Sequence, residues 1–244
     1  MTGKARQTGR RADALSKERI VEAAIAILDA EGEGALTFRT LAARLATGAG
    51  ALYWHVADRG ELMTAAVDHV LATALAGVGD AADPRSAIRA VALAVFDAVD
   101  AHPWAGGQLT REPWRPGALR LFEGIGAALL ALGVPERARF DAWSALVNYI
   151  VGAAGQNAAN AVSARSRPTG ADRSAFLGGV AERWARLDPA EYPFVRDLAA
   201  RMRDHDDREQ FLAGIDIIVA GIEPLARPQR SPGDEVTHGN RIWQ

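Results

Sequence analysis

The chain has 244 residues, a formal net charge of −2 at pH 7 and no cysteine. Without cysteine, disulfides, zinc fingers and thiol catalysis are excluded, and the small net charge argues against a general polyanion binder. No uncharged apolar run reaches the roughly 18 residues that span a membrane. The polar, basic start Met1–Arg11 has no apolar segment typical of a secretory signal, so we expect a cytoplasmic protein.

Charge is distributed unevenly along the chain. Residues 1–60 carry nine Lys/Arg and seven Asp/Glu, whereas the remainder carries 19 and 23. A weakly basic end on an acidic body favours an oriented contact with DNA. Residues 1–14 have no periodicity and four basic residues, which predicts a disordered basic arm. This arm is either a solubilising tail or a supplementary contact to DNA phosphates or the minor groove.

Helix 1 is predicted over residues 16–31. Ser16 is a good N-cap, apolar residues follow at helical spacing, and Gly32 ends the segment. Thr37 repeats the capping pattern for a second, shorter helix. After a break at residues 46–48, a third helix is predicted to run from about Thr47 or Gly48 to residue 55. A fourth follows residue 58.

The two short helices in residues 37–56 cannot bury their apolar faces alone. They need a third helix, which residues 16–31 supply. This arrangement is a helix-turn-helix, and the second helix of such a motif enters the DNA major groove.

The rest of the chain is predicted to be helical as well, so the fold class is all-α. A linker of small and acidic residues, 77–84, separates the two parts, and the segment between residues 104 and 116 is irregular because of its prolines. Further helices are predicted over residues 84–101, 117–132, 135–163, 172–187, 194–204 and 207–226. We therefore divide the chain into an arm (1–14), a helix-turn-helix domain (15–76), a helical effector-binding and dimerisation domain (84–226) and a flexible tail (227–244).

Two of these helices carry apolar seams with the 3.5-residue spacing of left-handed helix bundles. The spacing predicts that both helices form a dimeric four-helix bundle, and small residues at 152–155 would allow close approach. An ordinary intramolecular core is the alternative. The seam residues are Phe140, Trp143, Val147, Ile150, Ala154, Phe211, Ile215, Ile218, Ile222 and Leu225.

Residues 16–75 resemble the DNA-binding domain of the TetR family of bacterial repressors. Two strings carry the resemblance, Thr37-x-Arg39-x-Leu41-Ala42 and Leu52-Tyr53-Trp54-His55-Val56. Beyond about residue 80 the likeness is one of helical order and length. The resemblance implies a homodimer that binds a palindromic operator and releases it when a small molecule occupies the C-terminal domain.

The resemblance also implies roles for single residues. Arg39 matches a base-reading arginine, since a guanidinium can bridge guanine O6 and N7; a plain phosphate contact or a solvated charge is the alternative. The other matched positions contact the DNA backbone, and for Trp54 we expect packing against helix 1, contact with a sugar, or both. These positions are Thr37, Thr40, Tyr53, Trp54, His55 and Arg59.

The first turn of the recognition helix departs from the tetracycline repressors, which have longer polar residues there. This turn, residues 48–51, contains only glycine and alanine. Apart from the backbone, only the neighbouring Thr47 can make a hydrogen bond to a base edge. Either the helix approaches the groove closely at Gly48 and reads thymine methyl groups through Ala49 and Ala51, or Arg39 and DNA shape carry more of the specificity.

The effector site is less clear from the sequence. In tetracycline repressors a histidine after helix 4 holds a metal–drug complex, but the matching position is about Leu75, so no metal or other cofactor is expected. Aromatic and apolar residues with two amides predict a mostly hydrophobic or aromatic effector held between helices 84–101, 117–132 and 135–163. Alternatively these residues only fill the core. The candidates are Phe96, Trp104, Trp114, Phe122, Leu146, Tyr149, Gln156 and Asn160.

An enzyme is the rival class, and the sequence gives it little support. The five histidines lack metal-site spacing, and neither a phosphate-binding loop nor a nucleophile motif is present. His205 lies among aspartates, where a solvated turn explains it. A DNA-binding protein without an effector is a second rival. A filled core would favour that rival, and an enclosed cavity would favour a ligand-gated repressor.

Overall fold

The computed structural model describes residues 15–79, 81–111, 115–165, 173–202 and 205–226. Within these ranges the chain forms eleven α-helices, two short 3₁₀ turns and no strand, so the predicted all-α fold is confirmed. The predicted arm and tail, and the effector-site candidate Trp114, lie outside the described residues. No helix in the described part is long and apolar enough to cross a membrane.

The N-terminal unit consists of four helices around one apolar centre. Ser16 caps α1 as predicted, because its hydroxyl accepts a hydrogen bond from the Arg19 amide. Leu28, Leu41 and Leu52, which come from three different helices, are fully buried together. The four helices are α1 (Lys17–Glu31), α2 (Phe38–Arg44), α3 (Ala49–Leu52) and α4 (Arg59–Ala76).

The body consists of the remaining seven helices. The prediction of an irregular segment after residue 103 is wrong in part, because a nine-residue helix starts there at Pro103, a residue well suited to a first turn. The helices are α5 (Pro84–Ala101), α6 (Pro103–Arg111), α7 (Leu119–Ala131), α8 (Glu136–Arg165), α9 (Arg173–Ala185), α10 (Pro193–Ala199) and α11 (Asp207–Ala226).

Helix α8 is the centre of the body, and α5, α6, α7 and α11 all pack against it. Its small residues serve contact within the chain: a Cβ added at Gly106 on α6 would lie 2.4 Å from the Cβ of Ala158. A Cβ at Gly155 would lie 2.7 Å from the methyl group of Thr110. At Gly155 the close helix approach predicted for residues 152–155 is therefore used by α6 of the same chain, whereas Gly152 is exposed and a Cβ there would meet nothing within 4 Å.

The predicted dimer seam needs correction for the same reason. Trp143 donates its indole N–H to the Phe122 carbonyl on α7 of the same chain, at 3.2 Å. Ile218 is partly buried against the core, whereas Phe140 and Leu225 remain exposed. Six seam residues are already buried in the core of one chain, so the prediction that they face a second copy is wrong. They are Val147, Ile150, Ala154, Phe211, Ile215 and Ile222.

Ion pairs fix α11 against α5. Arg89 donates to the carboxylate of Asp216, and Arg85 lies 3.6 Å from its other oxygen. The bond from Arg89 lowers the pKa of the Asp216 carboxyl. Further along, Arg208 makes two bonds to Asp97, at 2.9 and 3.2 Å. These pairs place the charged side of α11 against α5 and leave its other side to face outward.

Candidate DNA-contacting surface and effector cavity

The turn between α2 and α3 is a tight helix C-cap built on Ala46. Its φ of 49° lies in the left-handed region, where glycine is the usual residue. The Thr47 amide donates to the Ala42 carbonyl at 3.0 Å and the Ala46 amide to the Ala43 carbonyl at 3.2 Å. This pair of bonds is the Schellman motif. It sets the direction in which α3 leaves α2.

A reciprocal capping box fixes the start of α2. The Thr37 hydroxyl accepts from the Thr40 amide at 3.1 Å, and the Thr40 hydroxyl accepts from the Thr37 amide at 3.0 Å. The Thr40 hydroxyl also donates to the Ala35 carbonyl at 2.7 Å. Both threonines are exposed, but their hydroxyls already have partners. The first role of these two hydroxyls is thus to orient α2 and the residues it carries.

Arg39 and Trp54 project from this scaffold into solvent. Arg39 is exposed and has no hydrogen-bond or ion-pair partner among the described residues. Trp54 is 89% exposed, so the expectation that it packs against helix 1 is wrong. Tyr53, 58% exposed, stacks on Phe38 with ring centroids 4.5 Å apart. His55 is partly buried beside them. The helix-turn-helix therefore leaves one cation and two aromatic rings exposed, and the Phe38–Tyr53 stack joins α2, which carries the cation, to the residues that follow α3.

The recognition helix, α3, is short, and its exposed side chains are small. It covers only Ala49–Leu52, rather than extending to residue 55 as predicted. Gly48 and Gly50 have no positive φ, and a Cβ added at either would meet nothing within 4 Å. Since glycine lowers helix propensity by roughly 1 kcal/mol relative to alanine, neither residue is explained by contacts within the chain. The surface around Ala49 and Ala51 is consequently flat and free of side-chain donors.

Arg59 has an intramolecular role that the sequence did not indicate. Its Nε donates to the Leu36 carbonyl at 3.1 Å and its Nη2 donates to the Glu33 carbonyl at 2.7 Å. These bonds tie the start of α4 to the 3₁₀ turn before α2. Glu61 reinforces the junction by accepting from the Ala57 amide at 2.8 Å and from Lys17 at 2.6 Å, and both bonds lower the pKa of its carboxyl.

A cavity of about 590 Å³ lies in the body between α5, α8, the α9–α10 segment and the start of α11. We call it the body cavity. Four of the predicted effector residues line it: Phe96, Tyr149, Gln156 and Asn160. Residues that were not predicted for the effector site complete the wall, and most of them come from the last third of the chain. They are Ala153, Asn157, Trp184, Leu198, Arg201, Met202, His205, Asp207, Gln210 and Phe211.

Three other effector candidates are placed elsewhere. Leu146 is fully buried in the core, and Phe122 packs edge-on against Trp143. Trp104 is buried, and its indole N–H donates to Asp29 of α1 at 2.7 Å. Helix α7 does not line the cavity, contrary to the predicted position between residues 84–101, 117–132 and 135–163. For these residues the prediction is corrected to core packing and inter-helix contact.

The wall of the body cavity is chemically mixed. The Tyr149 hydroxyl donates to the Phe211 carbonyl at 3.2 Å, and burial raises its pKa. Phe211 stacks between Phe96 and Tyr149, at centroid distances of 4.6 and 5.6 Å. Four amides, Arg201 and the His205–Asp207 pair add polar groups. Such a wall can stack against the aromatic ring of a ligand and also hydrogen-bond to the polar groups of that ligand. The wall is more polar than the sequence predicts.

The C-terminal part of the chain matches a family model. The match is to the "Tetracyclin repressor-like, C-terminal domain" model and covers residues 81–225, more than half of the chain. The chain belongs to the TetR family of transcriptional regulators. TetR-family proteins are DNA-binding regulators and not enzymes, which agrees with the expectation from sequence.

Known TetR-like proteins are similar to nearly the whole chain. A regulator from Saccharopolyspora erythraea is 30% identical over 215 residues, which is 86% of this chain and 87% of the relative. The repressor DrrR1 from Streptomyces coeruleorubidus is 29% identical, over 88% of this chain and 80% of its own. The TetR regulator SCO7222 from Streptomyces coelicolor is 50% identical, with a TM-score of 0.77, 88% of this chain and all of that chain covered.

A further solved structure is that of ActR, a TetR-family protein from Streptomyces coelicolor. In complex with (S)-DNPA it is 27% identical to this chain, with a TM-score of 0.68, and 88% of this chain and 100% of that chain are covered. Its complex with actinorhodin has a TM-score of 0.70. At least one protein similar to this TetR-family chain therefore holds small molecules.

Proposed function

We propose that the chain is a homodimeric repressor that binds a palindromic operator and releases it when a small molecule occupies the body cavity. The observation that carries the DNA-binding half is the exposure of Arg39, Tyr53 and Trp54 on α2 and directly after the short helix α3. An unpaired guanidinium and exposed aromatic rings suit contacts with base edges and with the sugar-phosphate backbone. The other matched residues position this surface.

A dimer is supported by two outward helix faces that carry no charge. Residues 142–164 of α8 contain no Asp, Glu, Lys or Arg, although several of them are exposed. The outward side of α11 has its own apolar stripe, with Ile217 74% exposed. We therefore move the proposed interface from the buried seam to these outer faces. The exposed residues that we assign to this interface are Ala145, Asn148, Gly152 and Ala159 on α8, and Ala213, Ile217, Ala220, Gly221 and Leu225 on α11.

The body cavity supports the effector half of the proposal. Its volume lies within the range of small-molecule sites. The cavity is partly open rather than enclosed, since Gln156, Asn160 and Gln210 of its wall are exposed, and it supports a ligand-gated repressor through its size alone. Because the wall combines the aromatic rings of Phe96, Tyr149 and Trp184 with amides, we propose an aromatic effector carrying several hydrogen-bonding groups. ActR, which holds (S)-DNPA and actinorhodin, is the precedent for a small-molecule effector.

The experiment starts from the DNA. Repeated selection of bound sequences from a random DNA library, with the full chain, should yield an inverted repeat whose half-sites are about one helical turn apart. Compounds are then screened for loss of binding to that sequence. Linkage requires that bound operator lower the affinity for the compound by the same factor as bound compound lowers the affinity for the operator.

Two results would contradict the proposal. Selection that yields no preferred sequence would contradict binding to a specific operator. A compound that binds tightly in the body cavity yet leaves operator affinity unchanged would contradict the proposed release of the operator by an effector. Asn160→Leu replaces a polar residue in the wall of the cavity. This change should lower the affinity for the compound and leave operator affinity unchanged when no compound is present.

A further inference from the structure

A second, smaller groove lies where the N-terminal unit meets the body. We call it the junction groove. It has a volume of about 340 Å³ and shares no residue with the body cavity. Helices α1 and α4 form one side, and the end of α5 forms the other. Its lining residues are Glu22, Ile25, His69, Val70, Thr73, Ala74, Ala98 and His102.

The junction groove has an apolar floor and an acidic rim. Ile25, Val70 and Ala98 belong to the hydrophobic core or pack against it. Glu22 is exposed and carries the one formal charge among the eight lining residues when the histidines are neutral. Asp29 adds a second carboxylate on α1, beside His102. Two histidines also line the groove and Asp29 is paired with His102, so Glu22 is the carboxylate left to a ligand. Since no lysine or arginine lines the groove, Glu22 favours a cation with an apolar group over an anion.

The junction groove also borders the polar contact between the two units. Asp29 on α1 accepts hydrogen bonds from His102 and Trp104 on the body side, both at 2.7 Å. A molecule in the groove therefore touches α1 and α4 on one side and α5 and His102 on the other. Its occupancy bears directly on the angle between the DNA-contacting helices and the body.

We propose that the junction groove is a second ligand site, for small arylalkyl cations, and that its occupancy changes operator affinity by fixing this angle. The aromatic ring packs on Ile25, Val70 and Ala98, and the ammonium lies at Glu22. The proposed regulator function is needed only for the effect on the operator, because binding in the groove is independent of DNA.

Binding is tested with phenethylammonium, using 2-phenylethanol as the neutral probe and phenylacetate as the anionic one. The methyl NMR signals of Ile25 and Val70 report on the groove. We expect the largest shifts and the highest affinity with the ammonium probe, and the lowest affinity with the carboxylate. Glu22→Gln should lower the affinity for the ammonium probe by about two- to fivefold, the range of an exposed ion pair. The affinity for the neutral probe should not change.

Two further variants serve as controls. Glu31→Gln removes an exposed carboxylate at the other end of α1, which does not line the groove, and should leave all three affinities unchanged. Ala98→Leu fills the floor and should abolish the shifts, with the melting temperature as the check on folding. Absence of shifts at Ile25 and Val70 in the wild-type chain, or equal loss in both glutamate variants, overturns the site.

The regulatory part is tested by anisotropy with the operator obtained by selection. Saturating phenethylammonium should change operator affinity about fivefold or more in the wild-type chain. The same probe should have no effect on Ala98→Leu. A probe that shifts the groove methyl signals but leaves operator affinity unchanged overturns this part. Failure to obtain an operator would instead count against the proposed repressor function, since the NMR result does not depend on it.

Discussion

At the scale of single residues, the proposed DNA-contacting surface depends on which side chains the fold leaves without partners. Thr37, Thr40 and Arg59 are engaged in holding α2 and α4 in place. Arg39 and Trp54 are not so engaged. The turn of α3 offers no side-chain donor of its own, so Arg39 is the residue best suited to discriminate between bases.

Replacing Arg39 with alanine should therefore reduce specificity. We expect operator affinity to fall by about 1–3 kcal/mol, the value of a good bidentate contact, and affinity for random DNA to fall less. Arg44→Ala, which removes an exposed arginine from the end of the same helix, is the control and should affect both DNAs similarly. Both affinities must be measured at one salt concentration. Equal losses with Arg39→Ala would make that residue a phosphate contact.

Ala46 gives a prediction about stability. The left-handed conformation costs an L-residue about 1–2 kcal/mol, and Ala46 adopts it at φ 49°. Ala46→Gly removes this strain but increases the entropy of the unfolded chain, so we expect a net gain of about 0.5–1 kcal/mol in unfolding free energy.

Chemical denaturation of Ala46→Gly measures this gain directly. The matched control is Ala43→Gly in α2, where ordinary helical backbone makes glycine unfavourable by about 1 kcal/mol. If Ala46→Gly lowers stability as much as Ala43→Gly does, the left-handed conformation at residue 46 is not a source of strain.

At the scale of elements, the sequence predicts the features that residues close together along the chain determine. Ser16 and Thr37 cap helices through bonds to residues three positions away, so their signals are visible in the sequence. The 3.5-residue seam on α8 and α11 was visible too, but its partner was not. Spacing shows that a face is buried and does not show whether the same chain or a copy covers it.

The body cavity shows the same limit. Phe96 and Tyr149 were selected as aromatic residues on long helices, whereas Trp184 and Leu198 reach the wall from the α9–α10 segment. Which distant segment closes a cavity depends on tertiary packing. Trp104 was a reasonable aromatic candidate, yet its indole N–H has a partner on α1, more than seventy residues earlier. No local signal in the sequence indicates such a pairing.

The outer face of α11 gives a prediction at this scale. Ile217→Glu places one charge from each copy in the proposed interface, where pairing would bury it unpaired, so we expect the dimer to dissociate. Leu130→Glu on α7 is the control, because Leu130 is 56% exposed on a helix outside the proposed interface. Sedimentation should show monomer for Ile217→Glu and dimer for Leu130→Glu. A dimer in both would reject the outer face of α11 as the interface.

At the scale of the whole molecule, regulation requires that the N-terminal unit and the body move relative to each other in a defined way. In a dimer the two recognition helices must lie about 34–36 Å apart to enter successive major grooves. An effector need only favour a different spacing by a few kcal/mol to release the operator. The contacts between α1 and the body, centred on Asp29, are therefore placed to set the spacing.

Asp29→Ala should loosen that spacing, because it removes the acceptor shared by His102 and Trp104 and leaves the buried indole N–H without it. The chain has no cysteine, so Ala43→Cys on the exposed side of α2 gives one spin label per protomer. Pulsed electron–electron distance measurement then reports the label-to-label distance in the dimer. We expect a single narrow distribution in the otherwise wild-type chain and a broader one with Asp29→Ala. Glu31→Ala, which removes an exposed carboxylate two residues away, should keep the narrow distribution. If Asp29→Ala is as narrow as Glu31→Ala, the orientation of the N-terminal unit is fixed by apolar packing of α1 and α4, and not by this hydrogen-bonded contact.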